Sequence, residues 1–219
     1  MPTETVFIES LHDKARIETR VTYSPDVQNQ PAIVIAHPYG PLGGNFVNNV
    51  VVTLHKYFAE KGYVAASLNF RGCGNSEKRT SWTGMPERGD YQGVMNYVID
   101  RFQPSRLVIA GYSFGSMVAS SMPPPDRIPY SFLLVSYPLS VQWALATFKS
   151  TYFTQQFTQV LSNGKALFIY GDRDQFTGVR SYKKLVFKEP SKSIVIPGAD
   201  HFWFGYEDEL RAALDAHFE

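Results

Sequence analysis

Cysteine is almost missing from this 219-residue chain: Cys73 stands alone, which excludes an internal disulfide framework and fits a reducing compartment. Charge of one sign is not in excess either. With 21 Lys and Arg against 20 Asp and Glu, the formal net charge is +1. No broad field would draw a phosphate backbone, so nucleic acid is not an expected partner. Long apolar runs are lacking, because those near residues 32–36 and 131–135 are strand-sized and too short to span a membrane. Residues 1–10 hold Glu4 and Glu9 and no basic stretch ahead of an apolar core, so they do not read as a secretory signal, and a cytoplasmic protein is the expectation. The sequence has no His-Glu-x-x-His and no cysteine pair, so no metal is expected. Its glycine-rich loops form neither a Gly-x-Gly-x-x-Gly fingerprint nor a loop ending in Gly-Lys-Ser/Thr, so no nucleotide cofactor is expected.

What is present suits one compact domain over residues 1–219. At 44% hydrophobic, a chain of this length buries roughly 70% of its unfolded surface. Two opening strands are predicted over 6–9 and 15–23, the second from the alternation of Ile17, Thr19, Val21 and Tyr23. Strands at 31–36, 64–70, 106–111, 131–137, 166–170 and 193–196 then alternate with helices at 46–60, 88–102, 114–121, 177–187 and 205–218. Strand and helix in repeated alternation mean a mostly parallel sheet of about seven or eight strands, with helices on both faces. Three stretches interrupt the pattern. Residues 77–89, with Arg79, Trp82 and Met85, form a loop able to contribute to a rim, and Met122-Pro-Pro-Pro-Asp126 ends a helix in a rigid turn. Residues 140–164 form a short insertion carrying Trp143, Phe148 and Phe153, which either wall an apolar pocket or pack a helix face on the sheet.

The chemistry centres on Gly111-Tyr112-Ser113-Phe114-Gly115, directly after the strand at 106–110. A serine in a sharp strand-to-helix turn needs small neighbours, because its backbone is strained and the helix passes close. Ser113 is therefore the candidate nucleophile. Such a nucleophile needs a base, and the base needs an orienting carboxylate. Tyr170-Gly-Asp-Arg-Asp174 and Pro197-Gly-Ala-Asp-His201 follow the last two strands and emerge at the same sheet edge as Ser113. His201 is the candidate base and Asp174 the candidate acid, in the chain order Ser, Asp, His. Asp172, the rival acid, is assigned to bracing its loop, and Asp200 to a turn or cap. For the oxyanion, the amide of Phe114 is one expected donor. Pro38 has no N–H, so the second is the amide of Tyr39, in the loop His37-Pro-Tyr-Gly-Pro-Leu-Gly-Gly44. His37 is expected to shape this loop, Arg71 to pair with Asp90, and Cys73 to be a packing residue.

Taken together, the His37-Pro38 loop with Gly43, Gly44 and Asn48, Asn69-Phe-Arg-Gly-Cys-Gly-Asn-Ser76, Gly111-Tyr-Ser-Phe-Gly115, Gly171-Asp-Arg-Asp174 and Gly198-Ala-Asp-His-Phe202 resemble the α/β-hydrolase superfamily over essentially the whole chain. The nearest resemblance is to its small, nearly lidless dienelactone-hydrolase-like or KANL3/Tex30-like group. That resemblance implies an α/β-hydrolase fold with minimal lid and puts nucleophile, acid and base on Ser113, Asp174 and His201. The group's more usual oxyanion loop reads His-Pro-His-Pro-Leu-Tyr-Gly-Gly. Characterised dienelactone hydrolases use a cysteine where Ser113 stands, so their substrate does not transfer. The expectation is a serine hydrolase of a small carboxylic ester or thioester, with a small acyl substrate and water as its partners. An amidase or peptidase of the same fold is the enzymatic alternative, and a non-catalytic interaction protein the alternative of another class.

Overall fold

Eight strands form one sheet in the order β1-β2-β4-β3-β5-β6-β7-β8. The computed structural model describes residues 1–26, 28–163, 165–185 and 187–218. Strands β1 (Thr3–Glu9) and β2 (Arg16–Thr22) make an antiparallel hairpin, and β2 lies antiparallel against β4 (Val64–Leu68). From β4 onward every pairing is parallel, through β3 (Ala32–Ala36), β5 (Leu107–Tyr112), β6 (Tyr130–Val135), β7 (Ala166–Gly171) and β8 (Lys192–Ile196). The central strands are buried on both faces, which is why they read as unbroken apolar runs. Alternate residues still face opposite ways. Ile33 and Ile35 of β3 join one core, while Ala32, Val34 and Ala36 join the other.

Helices α1 (Asn49–Glu60) and α7 (Glu207–Phe218) cover the first of these faces. Helices α2 (Met85–Phe102), α3 (Phe114–Ala119) and α5 (Ser150–Asn163) cover the other. Asn48 starts α1 as its cap, its Oδ1 accepting the Val50 amide at 3.1 Å, and buried Val50, Val51, Leu54 and Phe58 form the sheet-facing stripe. Two short helices remain, α4 (Gln142–Leu145) and α6 (Val179–Tyr182).

The insertion and one expected helix are broken up. The insertion at 140–164, of which residue 164 lies outside the described residues, breaks into α4 and α5 around Phe148, whose φ is 63°. The helix expected over 177–187 survives only as α6, and residue 186 lies outside the described residues. Tyr182 stacks on Tyr170 at 3.9 Å between ring centroids, and Phe187 packs edge-on against Phe168 at 5.0 Å. Residues five apart on a helix point about 140° away from each other. A continuous helix cannot lay both rings on β7, so packing overrides the local pattern. Among the described residues, no helix is long and apolar enough to cross a membrane.

Candidate active site

The parallel strands all end at one edge of the sheet, and the loops leaving β3, β5, β7 and β8 meet there. Ser113 joins β5 to α3 with φ 54° and ψ −121°, in a region that L-residues seldom enter. Both flanking glycines are required by space. A Cβ on Gly111 would lie 2.2 Å from the Gly115 carbonyl oxygen, and one on Gly115 would lie 2.3 Å from that of Ala36.

His201 and Asp174 complete a hydrogen-bonded chain. The Ser113 hydroxyl lies 2.8 Å from His201 Nε2, and His201 Nδ1 lies 2.9 Å from Asp174 Oδ2. Nδ1–H donates to the carboxylate, which leaves Nε2 as the acceptor facing Ser113. All three side chains are buried. The other Asp174 oxygen accepts the amides of Phe176 and Thr177 at 2.8 and 2.9 Å, so the carboxylate is held from both sides. The loop bearing His201 is equally fixed. Its amide donates to Gln175 Oε1 at 3.0 Å, Asp200 Oδ1 accepts the Phe202 and Trp203 amides, and the buried Trp203 indole donates to Ser136 Oγ at 2.9 Å. Tyr112 adds a hydrogen bond from its hydroxyl to the His201 carbonyl. Asp172 accepts the Gly198 amide at 2.8 Å and so ties the two loops together without touching the imidazole.

Beside Ser113, the chain leaving β3 passes against the start of α3: the Tyr39 and Phe114 rings meet edge to face at 5.4 Å. The Phe114 amide opens α3 and so has no partner four residues back in the helix. His37 organises the neighbouring loop. Its Nδ1–H donates to the Pro38 carbonyl at 2.6 Å, its Nε2 accepts the Phe70 amide at 2.9 Å, and burial pushes its pKa down to about 4. Arg71 pairs with Asp90 at 2.7 Å and with Asp13 at 3.1 Å, bracing the loop after β4. Cys73 lies buried in that loop, and burial raises its thiol pKa to about 11, which leaves it a packing residue.

A cavity of about 400 Å³ opens over Ser113 and His201. Its walls are Tyr39, Leu42 and Trp82 on one side and Val141, Ala144 and Leu145 on another, with Phe176 and Phe202 beside the imidazole. The expectation for Trp143, Phe148 and Phe153 needs correction, since none of them lines this cavity. Trp143 and Phe148 are 71% and 95% exposed, whereas Phe153 is buried in the core under α5. Residues one apart on a helix point about 100° apart. Because α4 turns Val141, Ala144 and Leu145 inward, it turns Trp143 away. Phe176 and Phe202 escaped the sequence reading, although each stands within two residues of a candidate catalytic side chain. Trp82 was legible only as part of a rim loop. The buried Glu87 of α2 holds that loop, accepting the Ser81 amide and hydroxyl at 2.6 and 2.5 Å. Among the described residues, no group of three or more His, Cys, Asp or Glu side chains is gathered as a metal site.

Comparison with known proteins agrees with this fold. A family model described as an alpha/beta hydrolase domain matches residues 29–209. An uncharacterized protein of Rickettsia prowazekii is 26% identical over 211 residues, covering 92% of this chain and 84% of the relative. Among solved structures, an alpha-beta serine hydrolase homologue from Coxiella burnetii aligns with a TM-score of 0.81 at 25% identity, over 100% of this chain and 99% of that one. An α/β serine hydrolase without lid from Xanthomonas campestris aligns with a TM-score of 0.79 at 22% identity, over 99% and 94% of the two chains. The matched span runs from just before β3 into α7 and contains every residue of the hydrogen-bonded chain from Ser113 to Asp174, and on that match the chain belongs to the alpha/beta hydrolase domain family.

Proposed function

We propose that this protein is a serine hydrolase that cleaves a small carboxylic ester or thioester through an acyl-enzyme intermediate. The observation that carries the reading is the buried relay of Ser113 Oγ, His201 Nε2 and Nδ1, and Asp174 Oδ2, with links of 2.8 and 2.9 Å. As Ser113 Oγ attacks the substrate carbonyl, His201 Nε2 takes the hydroxyl proton, and Asp174 holds the imidazole in place and balances its charge. The amides of Phe114 and Tyr39 are the proposed donors to the oxygen that gains negative charge. Collapse of the tetrahedral intermediate expels the alcohol or thiol, which receives the proton from His201. Water then attacks the acyl-serine with His201 again as base, releasing the acid and restoring Ser113. The strained φ of Ser113 favours this reading over a non-catalytic scaffold, because such strain persists where the surroundings impose it and collects at working sites.

A fluorophosphonate probe tests it directly. Labelling is expected in the parent and should disappear in Ser113→Ala and His201→Ala, while hydrolysis of p-nitrophenyl acetate falls by about 10³-fold or more. Folded protein that neither labels nor hydrolyses p-nitrophenyl esters would favour the interaction-protein reading instead. Comparable turnover of a matched anilide would move the assignment to an amidase.

A further inference from the structure

The cavity over Ser113 is built almost wholly of hydrocarbon. Leu42, Trp82, Val141, Leu145, Phe176 and Phe202 enclose it, and the charged or chargeable side chains on its wall are His201, already committed to Asp174, and the Tyr39 and Tyr112 phenols. No Lys or Arg lines it among the described residues. Arg71, in the loop after β4, is spent on Asp90 and Asp13 and is itself buried. A carboxylate carried into this space would give up part of its water and meet no cation, a larger cost than that of seating a methyl group there.

We infer that the substrate is an uncharged ester whose acyl part is a medium-length or aromatic hydrocarbon group lying between Trp82 and Leu145, and that the site rejects acyl groups bearing a carboxylate. This inference rests on the serine-hydrolase reading and narrows it. The cavity, at about 400 Å³, falls at the small end of the range for ligand sites, which fits one such group rather than a long lipid tail. Leu42 and Trp82 line the cavity yet remain 79% and 74% exposed, so an apolar group seated there would cover them. Covering that surface takes it out of water, which favours binding of an apolar group.

Three substrates of one chain length separate charge from size: p-nitrophenyl hexanoate, the mono-p-nitrophenyl ester of adipic acid, and the methyl p-nitrophenyl diester of adipic acid. The hexanoate and the uncharged diester should be hydrolysed with kcat/KM within about tenfold of each other, and the monoester, with its free carboxylate, about 100-fold or more slower. Ala144→Arg, at an exposed position on the cavity wall that α4 supplies, should narrow that gap by about tenfold by giving the carboxylate a partner. Equal kcat/KM for hexanoate and the charged monoester overturns the inference, as does a gap that Ala144→Arg leaves unmoved. Fluorophosphonate labelling of Ser113 keeps the two readings apart. Labelling without hydrolysis of the uncharged esters sinks the substrate class alone, whereas no labelling and no hydrolysis sinks the hydrolase reading and this inference with it.

Discussion

At the scale of single residues, the two aspartates of one turn do different work although they stand two positions apart. Asp174 reaches His201, while Asp172 accepts an amide of the neighbouring loop. Replacing Asp174 by Asn keeps the shape but removes the charge that supports imidazolium, and a side-chain NH₂ facing Nδ1 favours the wrong tautomer. Its kcat should fall by about 10²- to 10⁴-fold. Asp172→Asn should stay within about threefold of the parent, measured on the same p-nitrophenyl ester; a loss as large as that of Asp174→Asn would reverse the assignment. Glycines also divide by role. A Cβ on Gly115 meets backbone oxygens at 2.3 and 2.6 Å, which have nowhere to go, so Gly115→Ala should cost about 3 kcal/mol or more. Gly62, at the end of α1 with φ 82° and open space around it, should cost only about 1 kcal/mol as Gly62→Ala. Denaturant midpoints of the two variants decide whether close approach or backbone angle governs the elbow.

At the scale of elements, the start of α2 connects the fold to the cavity. Glu87 in its first turn binds both donors of Ser81, and Ser81 Oγ in turn accepts the amides of Thr83 and Gly84, so the loop carrying Trp82 is stitched at both ends. Burial, with Asp90 adding repulsion, raises the Glu87 pKa. Gln at this position offers one acceptor oxygen where Glu87 has two. Glu87→Gln should loosen the loop, raising KM for p-nitrophenyl hexanoate by about threefold to tenfold, with a smaller rise for the acetate that does not reach Trp82. Equal rises for both esters would show a general loosening rather than a displaced wall. The sequence pattern announced the strands and α1, α2 and α7, because each has its own period and stop. It overstated the helix after β7, because the demand to seat Tyr182 and Phe187 on one strand comes from the sheet and is invisible to local periodicity.

For the whole molecule, buried histidines tie stability to pH. His37 and His55 both have pKa values pushed down to about 4, chiefly by burial; His55 is shared between the hydroxyls of Thr22 and Ser67 at 2.8 and 2.7 Å. Above the ordinary histidine pKa of about 6.5, folded and unfolded chains are alike at these positions. As pH falls from there towards 4, the unfolded chain takes up protons that the folded chain refuses. Stability should therefore decline, by up to about 1.4 kcal/mol per pH unit for each histidine. Glu87, with its raised pKa, works in the opposite sense and makes the net slope shallower. Urea unfolding at pH 7, 6 and 5 should show the decline, and His55→Asn should flatten it. A profile that His55→Asn leaves unaltered would mean that His55 is not a source.

By itself the sequence determined the layered α/β plan, the strained serine between two glycines, and the chain order of Ser113, Asp174 and His201. These are written locally: a period of two or of 3.6, a glycine where no side chain fits, a loop that must follow a strand. Tertiary structure alone decided which aromatic rings face the cavity. Trp143, Phe148 and Phe153 look equivalent along the chain, yet two end in solvent and one in the core, while Phe176, Phe202 and Trp82 come together from three separate loops. The direction a side chain takes depends on the rotation of its element against the sheet, and that is set by the packing of residues far away in sequence.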